Sequence, residues 1–297
     1  MLIPTSVPSE HSSSITLEAL PEGWQFLSEA FSKYVNVFGV HIFATEGTPD
    51  SKVIHGSNVL AQYLDNNADG IPDNAAVLEM LTRSNASIFM AATEDDMEAV
   101  GERLPESVHR MIERGKLPNL HLYGEETNPS KGTNRFDASL EEILHLITEV
   151  GYAQTYPEVF AEARGSTIAR YMDNARGGHF EENDDSDCDD DEPNKGRQES
   201  RCALPPHGEY PQGAWYTYFD PTCSYACMVT EYFYWALTTL LGAQNGHQRC
   251  EEIAREWTLC NESEVKIKDP GIYRLLTDSQ YALPTTLPDG NYVPVAR

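Results

Sequence analysis

The chain has 297 residues, of which 40% are hydrophobic, so it can build one large domain or two lobes around a real core. Its formal net charge of −26 at pH 7 argues against nucleic-acid binding, because binding to phosphates depends on lysine and arginine. No apolar run approaches the length of a membrane-spanning helix, and an acidic surface suits solubility and divalent cations.

An N-terminal α/β lobe is predicted over residues 19–152, after a loose segment, residues 1–18, that is rich in serine, proline and threonine. Apolar residues in this lobe recur at helical spacing in some stretches and at strand spacing in others. The predicted elements are, in chain order, helix 24–38, strand 38–47, helix 51–64, strand 86–93, helices 94–104 and 106–115, strand 119–126 and helix 139–152. This order indicates a sheet with helices packed on it.

A mainly helical C-terminal lobe is predicted over residues 153–297, so the whole chain is predicted to be α+β. Its acidic run, residues 184–192, is predicted to be an exposed loop, because a block of like charges repels itself. A strongly apolar helix at 227–244 and an amphipathic helix at 248–257 follow. Residues 281–292 are rich in turn formers and are predicted to run along the surface.

Disulfide bonds are predicted in the C-terminal lobe, because it holds all six cysteines, and two of these flank the second half of the acidic run and could clip it. Two glycosylation sequons, at Asn85 and Asn261, also suit a secreted or extracytoplasmic protein; free thiols in a reducing cytosol are the alternative. The N-terminus lacks the features of a signal peptide, so an exported chain is expected to have lost its signal. The cysteines are Cys188, Cys202, Cys223, Cys227, Cys250 and Cys260.

An acidic stretch at residues 64–74, LDNNADGIPDN, has the spacing of a calcium-binding loop. Calcium is a hard cation that takes many oxygen ligands, and closely spaced Asp and Asn side chains on a tight loop supply them. Gly70 at position 6 permits the sharp turn, and Ile71 at position 7 would offer its main-chain oxygen. The side chains at positions 1, 3, 5 and 9 are Asp65, Asn67, Asp69 and Asp73.

This loop resembles the first half of an EF-hand loop, and it is more similar to the calcium loops of dockerins and thrombospondin type 3 repeats. Position 12 is Ala76 rather than the bidentate glutamate of an EF-hand, so another carboxylate, such as Glu79, is expected to complete the ligand shell. The resemblance implies a structural Ca²⁺ ion. The alternative is an ordinary turn of Asp, Asn and Gly after a helix.

The predicted helix at 139–152, SLEEILHLITEVGY, carries polar side chains on one side and apolar side chains on the other. Glu141 and His145 are four residues apart, so both can reach one metal ion, and Glu142 lies beside them. Glu149 lies on the same side and is an alternate ligand. A solvated face is the other interpretation, because a second Glu-x-x-His string, residues 106–109, shows how common the pattern is.

The string EEILH resembles the His-Glu-x-x-His helix of the zincin metallopeptidases, with Glu141 in place of the first histidine. The resemblance implies a mixed sheet whose edge strand, here 119–126, runs along the substrate cleft. In the gluzincin branch a glutamate on a later helix is the third ligand, and Glu231, a lone carboxylate in an apolar helix, matches it. Glu142 would then be the catalytic base that activates a metal-bound water.

Two functions are therefore expected. The first is an exported zincin-like hydrolase that acts on peptides or proteins, with Zn²⁺ or another divalent transition metal at the helix and structural Ca²⁺ at the loop. The second is a non-catalytic, calcium-dependent binding or matrix protein on the same scaffold, in which the helix face is vestigial. The two Glu-x-x-His strings also admit a di-iron helical bundle, against which the predicted strands argue.

Overall fold

The structure, a computed structural model, describes three stretches of the chain: residues 15–129, 136–182 and 203–295. Most of the predicted loose segment, the acidic run and the two cysteines that flank its second half, Cys188 and Cys202, lie outside the described residues. The described part combines helices with a mixed sheet, which confirms the predicted α+β class. None of the helices described is both long enough and apolar enough to cross a membrane.

The chain divides into two compact units, here called unit 1 and unit 2. Unit 1 comprises Met1–Gly151 together with Pro288–Arg297, and unit 2 comprises Tyr152–Leu287. The final segment therefore belongs to unit 1, whereas the sequence grouped it with the C-terminal lobe.

Unit 1 contains a four-stranded sheet in the order β1-β2-β3-β4. The first two strands are antiparallel, whereas β2, β3 and β4 run parallel to one another, so helices connect the later strands. β4 is at the edge of this sheet, and the chain that leaves it leads towards the last helix of the unit. The strands are β1 (Lys33–Val37), β2 (Val40–Ala44), β3 (Ser87–Ala91) and β4 (Asn119–Tyr123).

Helices pack on both faces of the sheet, because its side chains alternate between the faces. Phe43 and Phe89 point to one face and join an aromatic core with Trp24 and with residues of α3 and α4. Leu122 lies on the opposite face, where α1 and α5 pack. The helices are α1 (Asp50–Leu64), α2 (Ala75–Arg83), α3 (Glu94–Arg103), α4 (Glu106–Glu113) and α5 (Ser139–Leu146), with a 3-10 helix at Glu22–Leu27 and a π-helical segment at Ile147–Tyr152.

The helix predicted at 24–38 is wrong in its second half, which forms β1. The two residues between β1 and β2, Phe38 and Gly39, have φ angles of 52° and 93°. Positive φ at both central residues is the mark of a type I′ turn, whose twist matches that of the two strands of a hairpin. The tight turn therefore sets the conformation of the residues before it, although their apolar spacing also fitted a helix.

The final segment of the chain packs on α1 and on the acidic loop that follows α1. Gly290 N donates a hydrogen bond to Gln62 Oε1 at 2.8 Å. Tyr292 OH donates to Asp65 Oδ2 at 2.6 Å, and this contact is buried. These bonds join residues more than two hundred positions apart, which explains why the sequence pattern alone placed the segment elsewhere.

Unit 2 is mainly helical in its described part, as the sequence predicted. Its central helix, α9, is buried along nearly its whole length. Asp269, at the start of α12, accepts hydrogen bonds from Tyr232 OH at 2.6 Å and from Trp215 Nε1 at 3.1 Å. The helices are α6 (Ala153–Thr155), α7 (Pro157–Phe160), α8 (Thr167–Arg176), α9 (Tyr225–Leu240), α10 (His247–Ile253), α11 (Glu262–Lys268) and α12 (Pro270–Leu276).

Two disulfide bonds are present among the described residues of unit 2. One joins Cys223 to Cys227 at the start of α9, and the other joins Cys250 to Cys260. Each bond closes a short loop, with sequence separations of 4 and 10 residues. The pairs are compatible with an oxidising compartment.

Candidate metal centre

The start of α5 is held in place by a partly buried carboxylate, that of Asp137. Asp137 accepts hydrogen bonds from Asn128 N at 3.0 Å, from Ser139 Oγ at 2.8 Å and from His55 Nε2 at 2.6 Å. Burial alone would raise the pKa of Asp137, but the hydrogen bonds from His55, Asn128 and Ser139 outweigh burial and lower it. Asp137 is therefore ionised at neutral pH and connects α1 to the first turn of α5.

Close packing against α1 fixes the rest of the helix. Tyr63 OH donates a hydrogen bond to Leu140 O at 2.8 Å. A methyl group on Gly56 would lie 3.3 Å from Leu122 Cδ2 and 3.8 Å from Ile143 Cδ1, so the missing side chain lets α1, β4 and α5 approach. The apolar side of α5 is buried, and the position of its polar side is set as a consequence.

The structure brings together the three residues that the sequence predicted as metal ligands. Glu141 and His145 project from α5, and Glu231 projects from α9. Each offers one ligand atom, and these atoms all lie within 4.8 Å of one another. His145 and Glu231 are buried, with exposed fractions of 6% and 8%. A buried group of two carboxylates and one imidazole could hold a metal ion.

Burial changes the pKa of one member of the group, His145, and of the neighbouring Glu142. Burial lowers the pKa of His145 to about 4, so its ring is neutral at pH 7, which is the form that binds metals. Burial, followed by the charges of Glu141, Glu126 and Glu149, raises the pKa of Glu142 to about 8. A divalent cation bound nearby would lower that pKa by stabilising the carboxylate.

Other candidate ligands lie outside this group. Glu149, the alternate ligand, lies in the π-helical segment that follows α5, and within the described stretches the metal-compatible group does not include it. The second Glu-x-x-His string is engaged elsewhere: Glu106 Oε1 pairs with Arg110 Nη1 at 3.2 Å, and His109 Nε2 lies 3.0 Å from Gly101 O. The paired motifs therefore do not meet as a di-iron bundle requires.

A cavity of about 630 Å³ opens beside the polar side of α5. Glu141 and Glu142 line it together with Glu125 and Glu126, which follow the edge strand β4. Lys52 also lines the cavity, and its ammonium group donates a hydrogen bond to the main-chain oxygen of Thr127. A predicted metal ligand and the predicted base thus border a space large enough for a small ligand or a side chain.

The acidic loop after α1 has the hydrogen bonds of a tight, oxygen-lined turn. Asp65 is fully buried, and its two oxygens accept from Asp69 N at 3.1 Å and Gly70 N at 2.7 Å. Asp69 Oδ1 accepts from Ile71 N at 2.9 Å. The side chain of Ile71 is exposed, and Gly70 has a φ of 84°, the left-handed conformation that glycine adopts readily.

The other side of the loop is closed by Asp73. Its oxygens accept from Asn66 N at 2.7 Å and from Asn67 Nδ2 at 3.1 Å. Burial and then the charges of Asp65 and Asp69 raise the pKa of Asp73, although the hydrogen bond from Asn66 opposes the rise. Among the described residues, the loop carboxylates are not a group that converges as closely as the three side chains at α5 and α9.

The helix α2 follows this loop directly and was not predicted. Asn74 Oδ1 accepts a hydrogen bond from Val77 N at 3.1 Å and caps the first turn. Ala76, position 12 of the loop, therefore lies inside α2, and Glu79 is exposed on the same helix.

Sequence reasoning missed several residues that support these sites. His55 and Asp137 are 82 residues apart, and Tyr292 lies far from the loop that it contacts. One local signal was available: Asp137 and Ser139 stand just before the apolar run of α5, where capping side chains are common. Their partners on other elements had no such signal.

Comparisons of the chain with protein-family models, with curated proteins and with solved structures find no match. Any functional assignment therefore depends on the chemistry of the sites themselves.

Proposed function

We propose that this protein is a metal-dependent hydrolase of the zincin type that acts on peptides or proteins. Glu141, His145 and Glu231 would hold Zn²⁺ or another divalent transition metal. The observation that carries the proposal is the convergence of these three side chains within 4.8 Å, two of them buried.

The donor set fits a catalytic site better than a purely structural one. Three protein ligands leave a coordination position for water, whereas structural zinc sites use four protein ligands, most often cysteines. When bound, the metal would lower the pKa of that water and polarise the substrate carbonyl. Two carboxylates make the site less electrophilic than two histidines would, which favours a slower enzyme or a harder metal than zinc.

Glu142 is the residue proposed to move the proton. Its carboxylate would accept a proton from the attacking water, whose oxygen bonds to the carbonyl carbon of the peptide. Glu142 would then donate that proton to the leaving nitrogen as the C–N bond breaks. Its position next to Glu141 and in the wall of the cavity supports this role.

Structural calcium is proposed at the acidic loop. Asp65, Asn67, Asp69 and Asp73 would supply side-chain oxygens, and Ile71 its main-chain oxygen. The crowding that raises the pKa of Asp73 supports a cation there, because a cation would relieve the repulsion. The two disulfides described in unit 2 support the proposal that the protein is exported.

Metal analysis of the purified full-length chain tests the proposal. We expect one transition-metal ion per chain without added metal, and loss of that ion in Glu231→Gln. Glu162→Gln is the matched control, because Glu162 is another largely buried carboxylate of unit 2 and it bonds to Thr230 Oγ1 at 2.6 Å. A protein that carries calcium alone contradicts the hydrolase.

A purified protein that carries calcium alone would favour the second candidate function, that of a non-catalytic calcium-dependent binding protein. The observation behind it is the tight hydrogen-bonded turn of the acidic loop, in which Tyr292 OH also bonds to the buried Asp65. In that case the buried group at α5 would be a remnant that no longer binds metal.

A further inference from the structure

The cavity beside α5 has an unbalanced set of charges. Four glutamates line it, namely Glu125, Glu126, Glu141 and Glu142, against a single lysine, Lys52. In the proposed function Glu141 binds the metal and Glu142 is the base, so both carboxylates are already assigned to the reaction. The carboxylates that remain to bind a side chain of the substrate are those of the other two glutamates, Glu125 and Glu126.

Glu125 and Glu126 are not neutralised within the described part of the chain. Neither carboxylate forms an ion pair with a lysine, arginine or histidine there. Glu125 Oε1 has only a long contact, 3.4 Å, with Glu94 N. Burial and the charges of Glu125 and Glu94 raise the pKa of Glu126, which is the expected sign of uncompensated negative charge.

Lys52 offsets only part of this charge, because one ammonium group, which donates a hydrogen bond to the main-chain oxygen of Thr127, stands against two carboxylates. The remaining wall includes an aromatic ring, Phe136. Paired carboxylates beside an aromatic face suit a planar cation, which stacks on the ring and donates hydrogen bonds in its own plane.

We infer that this cavity accepts a cationic side chain of the substrate, with the guanidinium group of arginine as the best fit. The inference rests on the proposed function for its meaning as substrate specificity. Glu125 and Glu126 bind the cation, and they stand beside Glu141 and Glu142, so a basic residue of the peptide would lie close to the bond that is cut.

A matched pair of capped peptides tests the inference without requiring catalysis. The probes are N-acetyl-Ala-Ala-Arg-Ala-Ala-amide and the same peptide with citrulline, which has nearly the shape of arginine but no charge. Binding is measured by calorimetry on the full chain as purified, at low salt with calcium present, and chromatography checks that neither peptide has been cut. We expect the arginine peptide to bind about fivefold more tightly, as two solvent-accessible charge pairs allow.

The variant E125Q/E126Q should abolish this preference. The control E29Q/E102Q removes the same charge from exposed sites away from the cavity and should keep it. Equal binding of the two peptides to the unmodified chain, or loss of the preference in the control, overturns the inference. A preference for the arginine peptide in a protein without transition metal or peptidase activity supports the cation site and rejects the hydrolase. Failure of the cation site can therefore be distinguished from failure of the proposed function.

Discussion

The string Glu-x-x-His occurs on two helices of unit 1, and the two copies have different surroundings. On α4, the side chain of Glu106 is 77% exposed and pairs with Arg110, and His109 faces a main-chain oxygen. On α5, Glu142 lines a cavity with its pKa raised to about 8, and His145 is buried with its pKa lowered to about 4. The spacing is the same, but the solvation differs.

The difference teaches that a motif of this kind specifies geometry and not chemistry. Four residues on one turn bring two side chains together on any helix. Only where the helix is pressed into the fold does the low-dielectric environment penalise charge strongly enough to change protonation and favour a metal. For α5, the packing of Gly56 and the bonds to Asp137 supply that environment.

The largest expected effect separates the two histidines. His145→Ala should weaken transition-metal binding by more than about a hundredfold, because losing a ligand costs more than losing the partner of a ligand. His109→Ala should leave the metal content unchanged. The check is metal content by mass spectrometry after dialysis. Equal metal loss in both variants would mean that burial does not distinguish the two strings.

The next largest effect compares the rates of peptide hydrolysis of variants at Glu142 of α5 and at Glu106 of α4. Glu142→Gln should retain the metal but reduce peptide hydrolysis by a factor of roughly 10², because the amide cannot take the proton of the attacking water. Glu106→Gln should hydrolyse peptides at the normal rate. Initial rates on a fluorogenic peptide library measure both. Full activity in Glu142→Gln would remove the proposed base.

Chelation of calcium tests whether the acidic loop depends on an ion, as α5 is proposed to do. A ligand at a hundred times its dissociation constant stabilises the native state by about 2.7 kcal/mol, so chelation should lower the melting temperature by several degrees. Asp69→Ala should remove most of this sensitivity, whereas Asp50→Ala, at the exposed start of α1, should keep it. A melting curve that chelation leaves unchanged contradicts the calcium assignment.

A smaller effect concerns how each helix begins. Asp137→Asn should destabilise the fold by about 1–3 kcal/mol at pH 7, because three hydrogen bonds to a charged group weaken. Glu106→Gln should cost only about 0.3–0.5 kcal/mol, as exposed pairs at this spacing do. Urea denaturation of both variants gives the two values. A similar cost for both would remove the special role of Asp137.

The difference in free energy of unfolding between the unmodified chain and Asp137→Asn depends on pH, and the direction of the change can be predicted. The folded-state pKa of Asp137 is lowered, so its charge stabilises the fold above the unfolded pKa of about 3.9. That stabilisation is lost as the pH falls through the folded pKa. The gap between the unmodified chain and Asp137→Asn should therefore be full at pH 6–7 and close towards pH 2–3.

Much of the fold could be predicted because its signals are local. The periodicity of α1 and α5, the short apolar runs of β2 and β3, and the long apolar helix α9 all follow from neighbouring residues. Glu231 could be singled out for a similar reason, since a carboxylate surrounded by apolar residues needs a partner. The predicted zincin scaffold stays a proposal, because the described sheet and helices do not by themselves define it.

The parts of the fold and of the candidate site that were not predicted depend largely on contacts between residues distant in sequence. The hairpin turn at Phe38 and Gly39 overrode a helical pattern, and the helices α2, α8, α11 and α12 were not predicted. The bond from His55 to Asp137 could not be anticipated, because each residue alone is unremarkable in its element. Burial of the metal group likewise follows from packing and not from spacing.

The contact between Tyr292 and Asp65 also has a consequence for biosynthesis. The two residues are 227 positions apart in the chain. At translation rates of roughly 5–20 residues per second, the acidic loop leaves the ribosome on the order of 10–45 s before its tyrosine partner is made. During that interval Asp65 lacks its tyrosine partner, so unit 1 reaches its native state only after the whole of unit 2 has been synthesised.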